Sequence, residues 1–301
     1  MKIASIDIGT NSSRLLIAEY ENKSYREIKR DLITTRLGKG VDQTGTLSYE
    51  AINRVVTAVM RFDRDIKKYN VEKINFVGTS ALRDVDNSDE LINLILQKTS
   101  LKLKVISGEE EAKLIYKGVS IDLPFNNFLI IDIGGGSTEF IWKNNNNLKF
   151  KSLDIGAVRM TERYIKNPVS GLNYKIYRNM TEDIYKLLEH NLQLDIKKLP
   201  TVGVGGTITT LAAIDQKMEY YNSDKIHHYQ LPGATVRKLL KNIFYMNLEQ
   251  RKRLKGLNEK RADIILAGMV IVHALQNFIQ FDKITLSEHD ILYGLITDMC
   301  S

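Results

Sequence analysis

The strongest constraint on the fold is that the chain states one short pattern twice. Ile6-Asp7-Ile8-Gly9-Thr10-Asn11-Ser12 recurs 125 residues later as Ile131-Asp132-Ile133-Gly134-Gly135-Gly136-Ser137. Phe76-Val77-Gly78-Thr79 recurs about 128 residues later as Val204-Gly205-Gly206-Thr207. Two matches in the same order at nearly constant offset imply duplicated α/β units with equivalent glycine turns. A length of 301 residues suits two domains, each with its own core. The expected division is residues 1–123 and 124–288, with the second copy beginning near Pro124. A closing helix at about 289–301 folds back onto the first domain, as a chain crossing twice between lobes requires.

Hydrophobic periodicity supports the repeat. Ile3, Ser5 and Asp7 alternate with Ala4, Ile6 and Ile8, the period-2 signal of a strand, and RLLIAEY and a further extended run follow. After Gly38, Gly40 and Gly45 the spacing predicts a helix of about 20 residues with Ile52, Val55, Val56, Val59 and Ile66 on one face. KINFVGT (73–79) reads as a buried strand, a helix opens at Asn87/Ser88, and LKVIS (103–107) reads as a strand feeding the helix EEEAKLIYKGV. The second copy runs strand, glycine turn and strand over 127–143, then a hairpin turn at the asparagines 144–147. A long helix after Leu172, the strand TVGVGG and the helix TITTLAAI follow. The remainder reads as mostly helical up to a last strand at 283–288.

A strand ending in Asp-x-Gly before small hydroxyl residues makes a tight hairpin with backbone N–H groups at its tip. Glycine removes the Cβ and admits positive φ, so a phosphate can approach those donors. The strand-end aspartate offers a hard oxygen to Mg²⁺. On its own DIGTN reads as a β-turn; finding the element twice, with Gly205-Gly206-Thr207 opening a helix whose N-terminus is a further anion site, favours phosphate. Asp132 and Glu139, seven residues apart across the second turn, can point from two strands toward one mouth. A buried salt bridge is the other reading for the aspartates. Ser107 and Glu110 fit an S-x-x-E capping box at a helix start.

Composition narrows the partners. With 43 Lys+Arg against 36 Asp+Glu the formal charge is +7, which suits an anionic ligand as well as a lysine-rich solvated surface. No compact basic block with interleaved aromatics occurs, so nucleic acid is not the expected partner. The apolar run Ile264–Val272 is under half of the roughly 20 residues that cross a bilayer, so no membrane partner is expected. The N-terminus meets Asp7 almost at once, without a signal-peptide core. The single cysteine, Cys300, rules out an internal disulfide framework. A cytoplasmic, soluble protein is expected. The apolar helices after residue 233 fit a homodimer contact and a monomer core equally.

With these elements in place the chain resembles the exopolyphosphatase/guanosine pentaphosphate phosphatase (Ppx/GppA) family of the actin/hexokinase/Hsp70 ATPase superfamily. The resemblance is carried by SIDIGTNSSRLLI (5–17), TRLGKGVDQTGTL (35–47), TSALRDVDN (79–87), ISGEEEAKLIYKGV (106–119), DIGGGSTEF (132–140), DIGAVRMTERY (154–164), VGVGGTITTLA (202–212) and RADIILAG (261–268). It implies an α/β fold of two duplicated actin-like (ribonuclease H-like) domains facing an interdomain cleft, in the short two-domain form. It also implies Mg²⁺ as cofactor, bound through Asp7, Asp132 and Glu139, and Glu110 as the catalytic glutamate that activates water. Glu139 and Arg83 join Glu110 as catalytic candidates. The phosphate cradle is expected at Thr10, Asn11, Ser12, Ser13, Gly135, Gly136, Ser137, Thr138, Gly205, Gly206 and Thr207. Arg36, Arg159 and Arg261 lie in matched motifs and read equally as phosphate contacts or inter-element ion pairs. One stretch departs: where many members read Ser-x-x-Gly-Leu-Arg-Glu-Gly, residues 287–294 read SEHDILYG, without the basic residue. The implied activity is exopolyphosphatase, with removal of the 5′ terminal phosphate of guanosine pentaphosphate (pppGpp) as the alternative. A non-catalytic polyphosphate or alarmone sensor is the third reading, and an ATP-using kinase fits the flanking motifs least.

Overall fold

The structure is a computed structural model describing residues 1–21, 24–83, 85–125, 127–145, 147–192, 196 and 199–300. Asp84, Asn146 and Ser301, which fall in the expected motif, turn and closing helix, lie outside the described residues. The chain forms two compact units, residues 1–122 with 289–301, and residues 123–288.

The first unit opens with the antiparallel meander β1 (Lys2–Ile8), β2 (Ser12–Glu21) and β3 (Ser24–Thr34). After α1 (Val41–Thr44) and α2 (Tyr49–Lys68), β4 (Lys73–Gly78) adds parallel to β1. Then come α3 (Ser80–Arg83), α4 (Ser88–Thr99), β5 (Lys104–Val105) and α5 (Gly108–Val119). The sheet order is β3-β2-β1-β4-β5. β1 is buried on both faces, which its alternation explains. Ala4, Ile6 and Ile8 pack with Val55, Val59 and Phe62 of α2 and with Leu91 and Ile95 of α4. Ile3, Ser5 and Asp7 face the other way. The helix α2 starts where the Ser48 side chain accepts from the Ala51 N–H, and its apolar face lies on the sheet as the spacing requires.

The second unit repeats the plan with β6 (Leu129–Ile133), β7 (Thr138–Asn144) and β8 (Asn147–Leu153), followed by α6 (Ala157–Tyr164) and α7 (Tyr174–Asn191). β9 (Thr201–Val204) runs parallel to β6 and leads into α8 (Gly206–Asp215). There follow α9 (Ser223–Ile226), β10 (Gln230–Pro232), α10 (Gly233–Ile243), α11 (Leu248–Lys252), a 3₁₀ turn at Glu259–Arg261, α12 (Ile265–Ile279) and β11 (Lys283–Leu286). The sheet order is β10-β11-β9-β6-β7-β8. Read from β8, the first four positions repeat the third-second-first-fourth order of the first unit with the same pairings, and β11, parallel to β9, takes the place that β5 has there, with β10 added antiparallel outside it. The fold is thus mixed α/β, two copies of one sheet plan.

Two elements differ from the sequence reading. The strand expected over 103–107 shrinks to the two residues of β5. β10 was not expected in a stretch read as helical; three residues ending in Pro232 are too short to show a period, and Pro232 sits at the sheet edge where no N–H is needed.

The last helix, α13 (Ile291–Cys300), belongs to the first unit. Leu292, Tyr293 and Ile296 cover Ile3, Leu16 and Ala18 on the sheet face opposite α2. It crosses α5 closely because glycines remove the intervening side chains: a Cβ at Gly294 would overlap the Leu114 carbonyl, and one at Gly118 the Asp290 carbonyl. Gly294→Ala is therefore expected to destabilise the protein by about 1–3 kcal/mol, the usual range for overpacking, read by urea unfolding.

Candidate active site

The two glycine hairpins are built alike. In β1–β2 the Gly9 N–H donates to the Ser12 carbonyl at 3.0 Å, and in β6–β7 the Gly134 N–H donates to the Ser137 carbonyl at 3.0 Å. The tip carbonyls are then occupied from the segment after the third strand. Asn11 O accepts from Thr35 N at 3.0 Å and Arg36 N at 2.9 Å, and Thr10 O accepts from Gly38 N at 2.9 Å. In the second unit Gly134 O accepts from Ala157 N at 3.0 Å, and Gly135 O from Val158 N at 2.8 Å and Arg159 N at 3.1 Å. Because a trans peptide sets N–H opposite C=O, these bonds turn the Asn11, Ser12, Gly135 and Gly136 N–H groups away from that segment. That is the arrangement a phosphate cradle uses. The Asn11 amide nitrogen is buried without a hydrogen-bond partner. Other side chains of the expected cradle are committed: Ser13 Oγ to Thr35 Oγ1 at 3.2 Å, Thr10 Oγ1 to Ser80 Oγ at 3.2 Å, and Thr138 Oγ1 to the Ile155 carbonyl.

Strand register places the acidic residues. Asp132 and Glu139 are direct cross-strand partners, so their side chains leave the same face of the sheet. Glu139 is buried and accepts from Ser152 Oγ at 2.9 Å. Gly205, with φ +85°, caps α8, and a Cβ there would overlap the Asp132 carboxylate. Gly206 lies against the Arg261 guanidinium, which takes up the space a Cβ would need. Arg159 Nε donates to the Gly136 carbonyl at 2.7 Å. Thr207 is buried beside Gly268. The second unit thus gathers Asp132, Glu139, the three-glycine turn, the α8 N-terminus and two arginines.

In the first unit the partner of Asp7 across the hairpin is Arg14. Arg14 Nε and Nη2 donate to Asp7 Oδ2 at 2.9 and 2.6 Å, and Nη1 reaches Asp290. Asp7 Oδ1 is buried with no hydrogen-bond partner. Burial pushes the Asp7 carboxyl above the ordinary aspartate value, with Arg14 acting against it. Asp290 stands in the turn where the sequence departs from the family pattern, and it ties α13 to Asp7 through Arg14.

Helix α5 separates its acidic residues by position. Ser107 accepts from Glu110 N at 3.1 Å while Glu110 Oε2 accepts from Ser107 N at 3.1 Å, a complete capping box. The other Glu110 oxygen meets Lys104 Nζ at 2.8 Å, and the side chain is 46% exposed. The Lys104 contact, then the Ser107 amide, hold its pKa below the ordinary glutamate value. Glu111, one residue on, turns inward. It is buried, and Arg83 Nη1 reaches its Oε2 at 2.7 Å while also donating to the Ile106 carbonyl at 3.2 Å. Burial raises the Glu111 pKa, Arg83 lowers it, and the Asp7 charge raises it again, which places Glu111, Arg83, Asp7 and Arg14 in one electrostatic neighbourhood. The sequence reading passed over Glu111; the signal available was the capping box, which spends the N3 residue and leaves the next one about 100° round the helix.

Two α/β units with paired phosphate-type hairpins and buried carboxylates define a phosphoryl-group-handling protein class. The chain belongs to the Ppx/GppA phosphatase family, whose model matches residues 16–301. It is 39% identical to the bifunctional 3-dehydroquinate synthase/phosphatase of Fusobacterium nucleatum, with 98% of this chain but only 46% of that protein covered. It is 33% identical to exopolyphosphatase 2 of Mycobacterium tuberculosis, covering 98% and 97% of the two chains. It is 30% identical to guanosine-5'-triphosphate,3'-diphosphate pyrophosphatase of Aliivibrio fischeri, covering 98% and 59%. The Aquifex aeolicus Ppx/GppA crystal structure superimposes with a TM-score of 0.82 at 29% identity, covering 100% and 97%. No helix among the described residues is long and apolar enough to cross a membrane.

The capping box gives a direct test of the α5 geometry. Ser107→Ala should lower stability by about 1 kcal/mol, the typical cost of a lost N-cap, in urea or thermal unfolding.

Proposed function

We propose that this chain is an exopolyphosphatase that hydrolyses the terminal phosphoanhydride of inorganic polyphosphate, with Glu111 rather than Glu110 as general base. The observation that carries the assignment is the buried Glu111–Arg83 pair beside Asp7. A base for phosphoryl transfer to water needs a carboxylate shielded from bulk solvent whose pKa is raised toward the working pH. Glu111 has both properties, whereas Glu110 is exposed, bound to Lys104 and shifted the other way. The likeness to exopolyphosphatase 2 over 97% of that protein supports the substrate. The likeness to the Aliivibrio pyrophosphatase supports a second reading, removal of the 5′ terminal phosphate of pppGpp, whose reacting group is the same.

In this reading Glu111 orients the attacking water and takes its proton, and Arg83 holds the carboxylate in place through the hydrogen bond from its Nη1. Taken unit by unit, the Asn11 N–H in the first and the Gly135 and Gly136 N–H groups with the N-terminus of α8 in the second are donors suited to phosphate oxygens. The donor set fits a divalent cation: Asp132 and Glu139 are hard carboxylates paired across one hairpin. Asp7 fits less well, since Arg14 already occupies one of its oxygens. Mg²⁺ held by Asp132 and Glu139 would offset negative charge on the phosphate oxygens.

Phosphate release from long and short polyphosphate and from pppGpp, with Mg²⁺, tests the proposal. Glu111→Gln should lower kcat by roughly 10²–10⁴-fold, the usual contribution of a general base, while Glu110→Gln stays within the wild-type order of magnitude. The reverse pattern would return the role to Glu110. Preference for pppGpp would select the second reading, and binding without release would mean a sensor.

The acidic limb of the kcat/KM profile follows with a definite sign. Loss of activity as pH falls marks protonation of Glu111, and Arg83 is what holds that pKa down against burial. Arg83→Met should therefore move the acidic limb to higher pH in the variant that retains measurable turnover.

A further inference from the structure

Arg251 is the largest fully buried side chain among the described residues, and it lies in the second unit. Burying a guanidinium is costly unless its N–H groups are matched. Here they are matched by backbone carbonyls. Nε donates to Ala262 O at 2.8 Å, Nη1 to Met246 O at 2.8 Å and Ser170 O at 3.0 Å, and Nη2 to Pro168 O. Three stretches of irregular backbone, around 168–170, 246 and 262, therefore share one cation. Main-chain bonds reinforce the join: Leu248 N to Val169 O at 2.8 Å and Leu172 N to Phe244 O at 2.7 Å.

The stretch ending at Ala262 carries Arg261, whose guanidinium lies against Gly206 at the start of α8. The same stretch is seated on the far end of α8, where Gly256, at φ +88°, lets the chain pass against the Ala213 carbonyl. The segment from Gly256 to Ala262 thus spans α8 from end to start, and Arg251 holds its last carbonyl. We propose that Arg251 is a positioning residue that fixes the 256–262 segment and so holds the Arg261 guanidinium at the phosphate-binding start of α8. Lysine cannot substitute, because a single ammonium has no fork to serve four carbonyls at separate angles.

The inference rests on the phosphohydrolase reading of that site, and a double-mutant cycle separates the two. Wild type, Arg251→Lys, Arg261→Ala and the double variant are compared for phosphate release from medium-chain polyphosphate with Mg²⁺, with kcat and KM fitted separately. Arg251→Lys is expected to lower kcat/KM about tenfold when Arg261 is present, mainly through KM. In the Arg261→Ala background it should change kcat/KM less than about twofold, the non-additivity of residues acting through one another. An equal loss in both backgrounds overturns the proposal. A wild type that releases no phosphate sinks the functional reading alone. In that event, or if Arg251→Lys does not fold, hydrogen exchange of the wild-type protein decides. Amides of 258–264 and 169–172 should open together; independent, faster opening of 258–264 overturns it.

Discussion

The register of one antiparallel hairpin governs the chemistry of each unit. Glycine and serine close the turn through the same 3.0 Å bond in both copies, and that bond fixes which residues face each other down the strands. Residue 7 then stands opposite 14, and residue 132 opposite 139. A slip of one residue would send every one of these side chains to the opposite sheet face. The N–H groups at the tip and the charged side chains beside them are thus set by a single geometric choice, made twice.

The copies differ in what that choice presents. In the second unit an aspartate meets a glutamate, an acidic pair suited to a cation. In the first, Arg14 replaces the glutamate, and the buried aspartate is tied through a partly exposed Arg14 to Asp290 just before the closing helix. The first unit also carries the helix α5, with Glu111 braced by Arg83. Duplication provided two phosphate-type hairpins, and divergence of one cross-strand partner gave them different electrostatics.

Much of this was legible in the sequence because it is local or periodic. The repeat, the meander, the α2 face and the long helices follow from alternation, spacing and glycine position, and the chain's sheets realise them. The candidate cradle and the Asp132–Glu139 pairing follow from the turn itself. What escaped is tertiary. Choosing between Glu110 and Glu111 depends on which one a capping box consumes and on Arg83, 28 residues away in sequence. Arg251 is harder still: in sequence it sits among lysines and arginines, and its carbonyl partners Ser170 and Pro168 lie 81 and 83 residues back. No local pattern marks a side chain whose ligands are main-chain atoms of distant loops.

The buried carboxylates set stability against function in a way that can be signed. Burial raises the pKa of both Asp7 and Glu111. Each therefore favours the folded state at pH below the ordinary carboxylate value, and that contribution is lost as pH rises through the raised folded value. Glu110, with its pKa lowered, runs the opposite way: its contribution is present above the ordinary value and lost as pH falls through the lowered one. At neutral pH, then, the capping glutamate holds the helix start while the neighbouring glutamate opposes folding. A chain selected only for stability would place an apolar residue at the inward position 111. Keeping a carboxylate there, with a guanidinium beside it to limit the cost, is the local inconsistency expected of a residue retained for chemistry.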